Sequence, residues 1–131
     1  MQINLESYDK YTIKSYDTSH ITVNDTIYSD SLIISRQAII SPWPVHAVQD
    51  LTEELLKPII ELQPEVIIIG ENQLNAQVPM MLVHYLAARR IGIECMSIGA
   101  ASRTFNVLLG EQRAVVAGLI IAPPLQYQKS I

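Results

Sequence analysis

The sequence predicts an α/β domain, with a β-rich front and a back half in which strands and helices alternate. Three observations lead there. Between Tyr11 and Ser35, short β-branched runs alternate apolar and polar residues. Val66 to Ile69 and Ala114 to Ile121 are continuous apolar runs, as expected of strands covered on both faces. Helical-period segments separated by short connections lie between these runs, the pattern of βαβ units with right-handed crossovers.

In the front half, Ile21 and Val23 share one face of a strand while Thr22 points the other way. Asn24-Asp25 can turn the chain into Thr26-Ile27-Tyr28, which predicts a hairpin. Leu32-Ile33-Ile34 is a third run, and the alternation implies a sheet with one buried and one wet face. Beyond Trp43 the character changes. Asp50 and Glu53 have capping-box spacing, and Leu51, Leu55, Ile59 and Leu62 recur near the helical period. Pro58 removes a backbone donor from that segment, so a kink or two short helices are expected.

Pro79 suits the first turn of the next helix, expected to run to Arg90 and stop at Gly92. Arg89 and Arg90 would favour its C-terminal dipole end. Ile91 to Met96 reads as a strand, and a third helix is expected from about Gly99 to Leu109, stopped by Gly110. The last residues, Pro123 to Ile131, read as a loose tail.

The 131 residues amount to about one domain, with a core expected over roughly residues 10–122. A chain of this size buries roughly two-thirds of its unfolded surface, enough for a self-sufficient core. Hydrophobic residues make up 49% and charged residues 17%, which argues against a disordered linker. The net charge of -4 argues against a nonspecific nucleic-acid binder. One cysteine, Cys95, excludes an intrachain disulfide. Met1 to Ser7 lack the pattern of a signal peptide, and no apolar run approaches the roughly 20 residues of a spanning helix. A cytoplasmic location is therefore expected.

Ligands of open α/β sheets gather beyond the C-terminal ends of the strands. Two segments qualify: Gly70 to Asn75, and Ser97 to Arg103 at the opening of the third helix. Ser102, Arg103 and Asn106 share a helical face there and could present themselves to an anion or a partner. Alternatively, Arg103 pairs with Glu71 or Glu111 and Asn106 ties down a loop. Neither Gly70 nor Gly99 belongs to a GxGxxG or Walker-type loop, so neither supports phosphate cradling by those motifs. Cys95 is either a reactive thiol or a small buried hydrophobe. His20, His46 and His84 lack ligand spacing, so no metal or other cofactor is expected. Trp43, stiffened between Pro42 and Pro44, is either core packing or an aromatic anchor for a partner.

Glu94-Cys95-Met96, Ala100 to Leu109 with its Arg103-Thr104-Phe105-Asn106 core, and Glu111 to Ala117 resemble the closing signature of a small single-domain family. That family includes the mitochondrial complex I assembly factor three and an adipogenesis-associated protein. Ser41-Pro42-Trp43 and Pro64 to Gly70 agree with it, and the resemblance covers roughly residues 10 to 122. It implies a compact three-layer α/β domain: a central mixed, mostly parallel sheet, flanking helices and an additional N-terminal β-hairpin layer. Family members often read Gly-Thr-Gly where this chain has Gly70-Glu71-Asn72, and Asp-Thr where it has Ser97-Ile98.

Two functions are thus expected. The first is a non-enzymatic protein-interaction or assembly protein, binding a protein partner through Trp43, Arg103 and Asn106, with a homo-oligomer also compatible. The alternative is a small-molecule-binding enzyme using a strand-end pocket of Glu71, Asn72, Cys95, Ser102, Arg103 and Asn106.

Overall fold

The computed structural model describes residues 11–73 and 75–123. The expected tail from 124 onward lies outside the described residues. In the front half, β1 (Ile13–Tyr16), β2 (Ile21–Val23) and β3 (Thr26–Tyr28) form a three-stranded antiparallel sheet in the order β1-β2-β3. Val23 pairs with Thr26 across the Asn24-Asp25 turn, where Asn24 adopts φ 52°. Asparagine tolerates that left-handed conformation better than most residues. The hairpin is therefore formed and carries β1 as an extra strand.

The third apolar run departs from the expected one-faced sheet. β4 (Leu32–Ile34) leaves the front sheet and joins β5 (Ile39–Ile40), β6 (Val66–Gly70), β7 (Gly92–Met96) and β8 (Val115–Leu119) in a five-stranded sheet ordered β5-β4-β8-β6-β7. All three β4 residues are buried, because that sheet is covered on both faces. The sheet is mixed: β4 pairs antiparallel with β5 and β8, whereas β6 pairs parallel with β8 and β7.

Alternation along the central strands divides their side chains between two cores. Ile33, Ile67, Ile69 and Val116 point to one face, with Trp43, Leu56, Ile59, Leu82 and Leu86. Leu32, Ile34, Ile68 and Ala117 point to the other, with Ala101, Phe105 and the small sheet's Ile13, Ile21 and Val23. Helices α1 (Glu53–Ile60) and α2 (Met80–Ala87) thus cover one face, and α3 (Ile98–Gly110) and the small sheet cover the other.

Three local expectations are corrected. Thr52, not Asp50, caps α1, its side chain accepting from the Leu55 N–H, while Asp50 ends a preceding 3-10 turn (Val48–Asp50). Pro58 leaves α1 as one element. The bond it cannot donate belongs to the carbonyl of Glu54, an exposed residue in the first turn. α2 ends at Ala87, and the stops lie at Arg90 (φ 62°) after α2 and Gln112 (φ 60°) after α3 rather than at Gly92 and Gly110. After α3, Arg113 N–H donates to the Leu108 carbonyl and Gln112 N–H to that of Leu109, the paired bonds of a Schellman stop.

Candidate functional site

β6 and β7 are parallel neighbours, with Gly70 in register with Met96. From β6 the chain leads into α2, whose Leu82 and Leu86 pack on one face of the sheet. From β7 it leads into α3, whose Ala101 and Phe105 pack on the other. Loops that leave adjacent strands toward opposite faces part from each other and open a crevice between them, the topological switch point of such sheets. Here the crevice is a hollow of about 460 Å³. Glu71, Asn72 and Gln73 line it from the loop after β6, and Cys95 and Met96 from the end of β7 with Ser97 just beyond. A second hollow of about 480 Å³ lies on the other side of residues 71–73, against His46, Ala47, Ile98 and Ile120.

Glu71 lines both hollows and is only 6% exposed. Its Oε1 accepts from the Val48 N–H at 2.9 Å, which ties the rim to the 3-10 turn. Burial pushes the Glu71 carboxyl above its ordinary range, the Val48 bond pulls it back, and the charge of Asp50 pushes it up again. The half-buried Cys95 thiol is likewise pushed up, first by burial and then by the Glu71 charge. A thiol so placed stays protonated and is a poor nucleophile at neutral pH.

The start of α3 is closed by the chain's own oxygens. Asn72 Oδ1 accepts from the Ile98 N–H at 2.9 Å, and Ser97 Oγ accepts from the Ala100 N–H at 3.1 Å. Those donors are what an anion would otherwise use.

The polar residues expected on one face of α3 separate. Ser102 is 3% exposed and its hydroxyl donates to the Ile98 carbonyl at 2.8 Å, a back-bond within the helix. Arg103 lies at the surface, where Nη1 donates to the Tyr16 hydroxyl at 3.3 Å. The ion pairs among the described residues are His20–Asp17 and Arg113–Glu65. Tyr16 thus stands where Glu71 or Glu111 was expected beside Arg103, because this flank of α3 faces the small sheet and not the rim. Asn106 does tie down backbone: Oδ1 accepts from the Ile13 N–H at 3.2 Å, and Nδ2 donates to the Ile13 carbonyl at 3.0 Å. Trp43 is 3% exposed in the opposite core, where its indole N–H donates to the Leu55 carbonyl at 3.0 Å.

The structure therefore brings Glu71, Asn72 and Cys95 together and leaves Ser102, Arg103, Asn106 and Trp43 elsewhere. Gln73 and Ser97, which lie within the two segments expected at the strand ends, also line the rim, and Met96, the last residue of β7, joins them without a sequence signal of its own. Among the described residues, no group of three His, Cys, Asp or Glu side chains could hold a metal ion. No helix among them is long and apolar enough to cross a membrane.

Fold and site together define a layered α/β protein with a hollow at its switch point. The chain belongs to the family described as "Protein of unknown function (DUF498/DUF598)", which matches residues 13–120. The NMR structure of a Xanthomonas campestris protein is similar to it, with 30% identity, a TM-score of 0.81 and coverage of 92% of each chain. Two more distant relatives carry descriptive names. One is a "13 kDa major membrane protein" of Francisella tularensis, 24% identical over 103 residues covering 78% of this chain and 84% of that protein. The other is NADH dehydrogenase [ubiquinone] 1 alpha subcomplex assembly factor 3 of Drosophila melanogaster, 29% identical over 107 residues. That match covers 78% of this chain and about half (53%) of the fly protein.

Proposed function

We propose that this protein is a non-enzymatic interaction module of the assembly-factor kind, which binds a protein partner. One observation carries the proposal. The polar side chains gathered at the strand ends are engaged with their own backbone, Glu71 with Val48 and Asn72 with Ile98, while the thiol beside them is held protonated. Catalysis by such a group would call for a base within reach and an activated nucleophile. The fly relative's name supports the same reading. Exposed apolar side chains supply contact area: Met80 and Met81 where α2 starts, and Val107 on α3.

A second reading is favoured by Glu71, a buried carboxyl between two hollows, which suits a small-molecule site. One pair of experiments separates the two. A photo-crosslinking residue placed in turn at Met81, Glu94 and Val107 in living cells is expected to give a discrete adduct with one partner protein. The interaction reading fails if all three positions give none. It also fails if the purified chain turns over a small molecule and Glu71→Gln abolishes that turnover.

A further inference from the structure

β7 is the edge of the five-stranded sheet, with β6 as its one neighbour. In a parallel ladder, alternate residues turn both backbone groups to the same side. Gly92 N–H donates to the Glu65 carbonyl, and the Met96 carbonyl accepts from Glu71 N–H, so Gly92, Glu94 and Met96 face β6. Ile93 and Cys95 consequently turn their N–H and C=O groups to the open side. Among the described residues nothing bonds to them there.

Edge strands of this kind invite pairing unless they are blunted by shortness, bulges, proline or charge. The other end of the sheet, β5, has two residues. In the small sheet, β3 has three residues, and β1 is interrupted by a register shift and tied to α3 through Asn106. β7 has five residues, no bulge and no proline. One exposed carboxyl-bearing side chain, Glu94, stands at its centre.

Glu94 decides the occupant. A second copy pairing antiparallel could use all four open groups only in the register that sets Ile93 opposite Cys95. That register puts Glu94 directly against Glu94 of the other copy, and like charges directly opposite destabilise a sheet. A strand with a lysine or arginine at that position meets the opposite charge instead.

We infer that the open edge of β7 is a β-augmentation site for an extended segment of a partner protein, with a basic residue placed across from Glu94. This rests on the interaction reading above and names the partner's chemistry.

The test is selection of displayed random decapeptides on the purified protein and on its Glu94→Lys variant, an exposed change that leaves the core untouched. The wild-type chain is expected to enrich alternating sequences with lysine or arginine at one fixed position, and the variant aspartate or glutamate there. Synthetic peptides differing in that one residue should differ about five- to tenfold in affinity, in opposite directions for the two proteins. Bound peptide should shift the backbone amide resonances of Ile93 and Cys95 and slow their hydrogen exchange. The site is overturned if neither protein enriches any sequence, if both prefer the same charge, or if those amides are already protected in the free monomer. Protection that grows with protein concentration points to a second copy and equally overturns it. In-cell adducts from Met81 or Val107 that persist while selection fails would remove the edge and leave the interaction module standing.

Discussion

Gly118 lies against the ring of Trp43 so closely that a Cβ there would come within 2.6 Å of Cζ3 and 2.8 Å of Cη2. The glycine leaves room for the ring of Trp43 against β8, from where its indole N–H reaches the Leu55 carbonyl. Gly118→Ala is expected to destabilise the fold by about 1–3 kcal/mol, since inserted volume forces a packed core to shift. Trp43→Phe removes both contacted ring atoms, so the double variant should recover part of the Gly118→Ala loss. Urea denaturation of the four proteins gives the coupling, read by circular dichroism because Trp43 is the one tryptophan.

Glu71 sets a pH dependence. Its carboxyl is raised in the folded state, so the folded chain holds that proton more tightly than the unfolded chain. Its contribution to stability is complete below the unfolded value of about 4.5 and is lost as pH rises through the folded value. Glu71→Gln, which retains an acceptor for Val48 N–H, is therefore expected to gain stability relative to wild type at pH 7. At pH 3.5 that gain should disappear. Denaturation at the two pH values measures it, and a gain unchanged between them would refute the charge account.

Cys95 reports on the same charge. Burial and Glu71 both hold the thiol above its ordinary range, so alkylation by iodoacetamide at pH 8 should run slower than for free cysteine. Removing the charge with Glu71→Gln should accelerate it. Equal rates for the two proteins would show that access to Cys95, and not charge, sets its reactivity.

Asn106 fastens the small sheet to α3 through both backbone groups of Ile13. Asn106→Ala is expected to cost about 1–3 kcal/mol, because it takes away partners of part-buried backbone groups. Hydrogen exchange should rise first in β1, while β6 and β8 stay protected.

Gln112 ends α3 in a left-handed conformation, at φ 60°. Glycine reaches that region without the Cβ clash, so Gln112→Gly should stabilise by about 0.5–1 kcal/mol after the entropy of the freer unfolded chain is subtracted. The same change at exposed Val107, inside the helix, should instead destabilise, by roughly 0.3–0.5 kcal/mol, since valine is already a weak helix former. Thermal melts of the two variants provide the comparison.

Elements were legible where one local pattern decided them. The Asn24-Asp25 hairpin rests on period-two alternation, and the central strands β6 and β8 on unbroken apolar runs. β4 was legible as a strand but not as a member of the large sheet, since Leu32-Ile33-Ile34 says only that both faces are apolar. The helix stops at Arg90 and Gln112 were not legible, because neither residue type advertises a left-handed φ. For the site, the strand ends led to Glu71 and Asn72, which the structure places side by side on the rim. Helical spacing alone wrongly joined Ser102, Arg103 and Asn106 to them.

Periodicity and turn chemistry determined which segments are strands and helices, because those signals act between residues a few positions apart. Tertiary structure alone decided what Glu71, Cys95 and Glu94 face. Whether a carboxyl sits in a desolvated rim or on an open edge depends on which strands become neighbours and to which face each loop departs. Those are choices among segments far apart in the chain, made by burying both faces of one sheet.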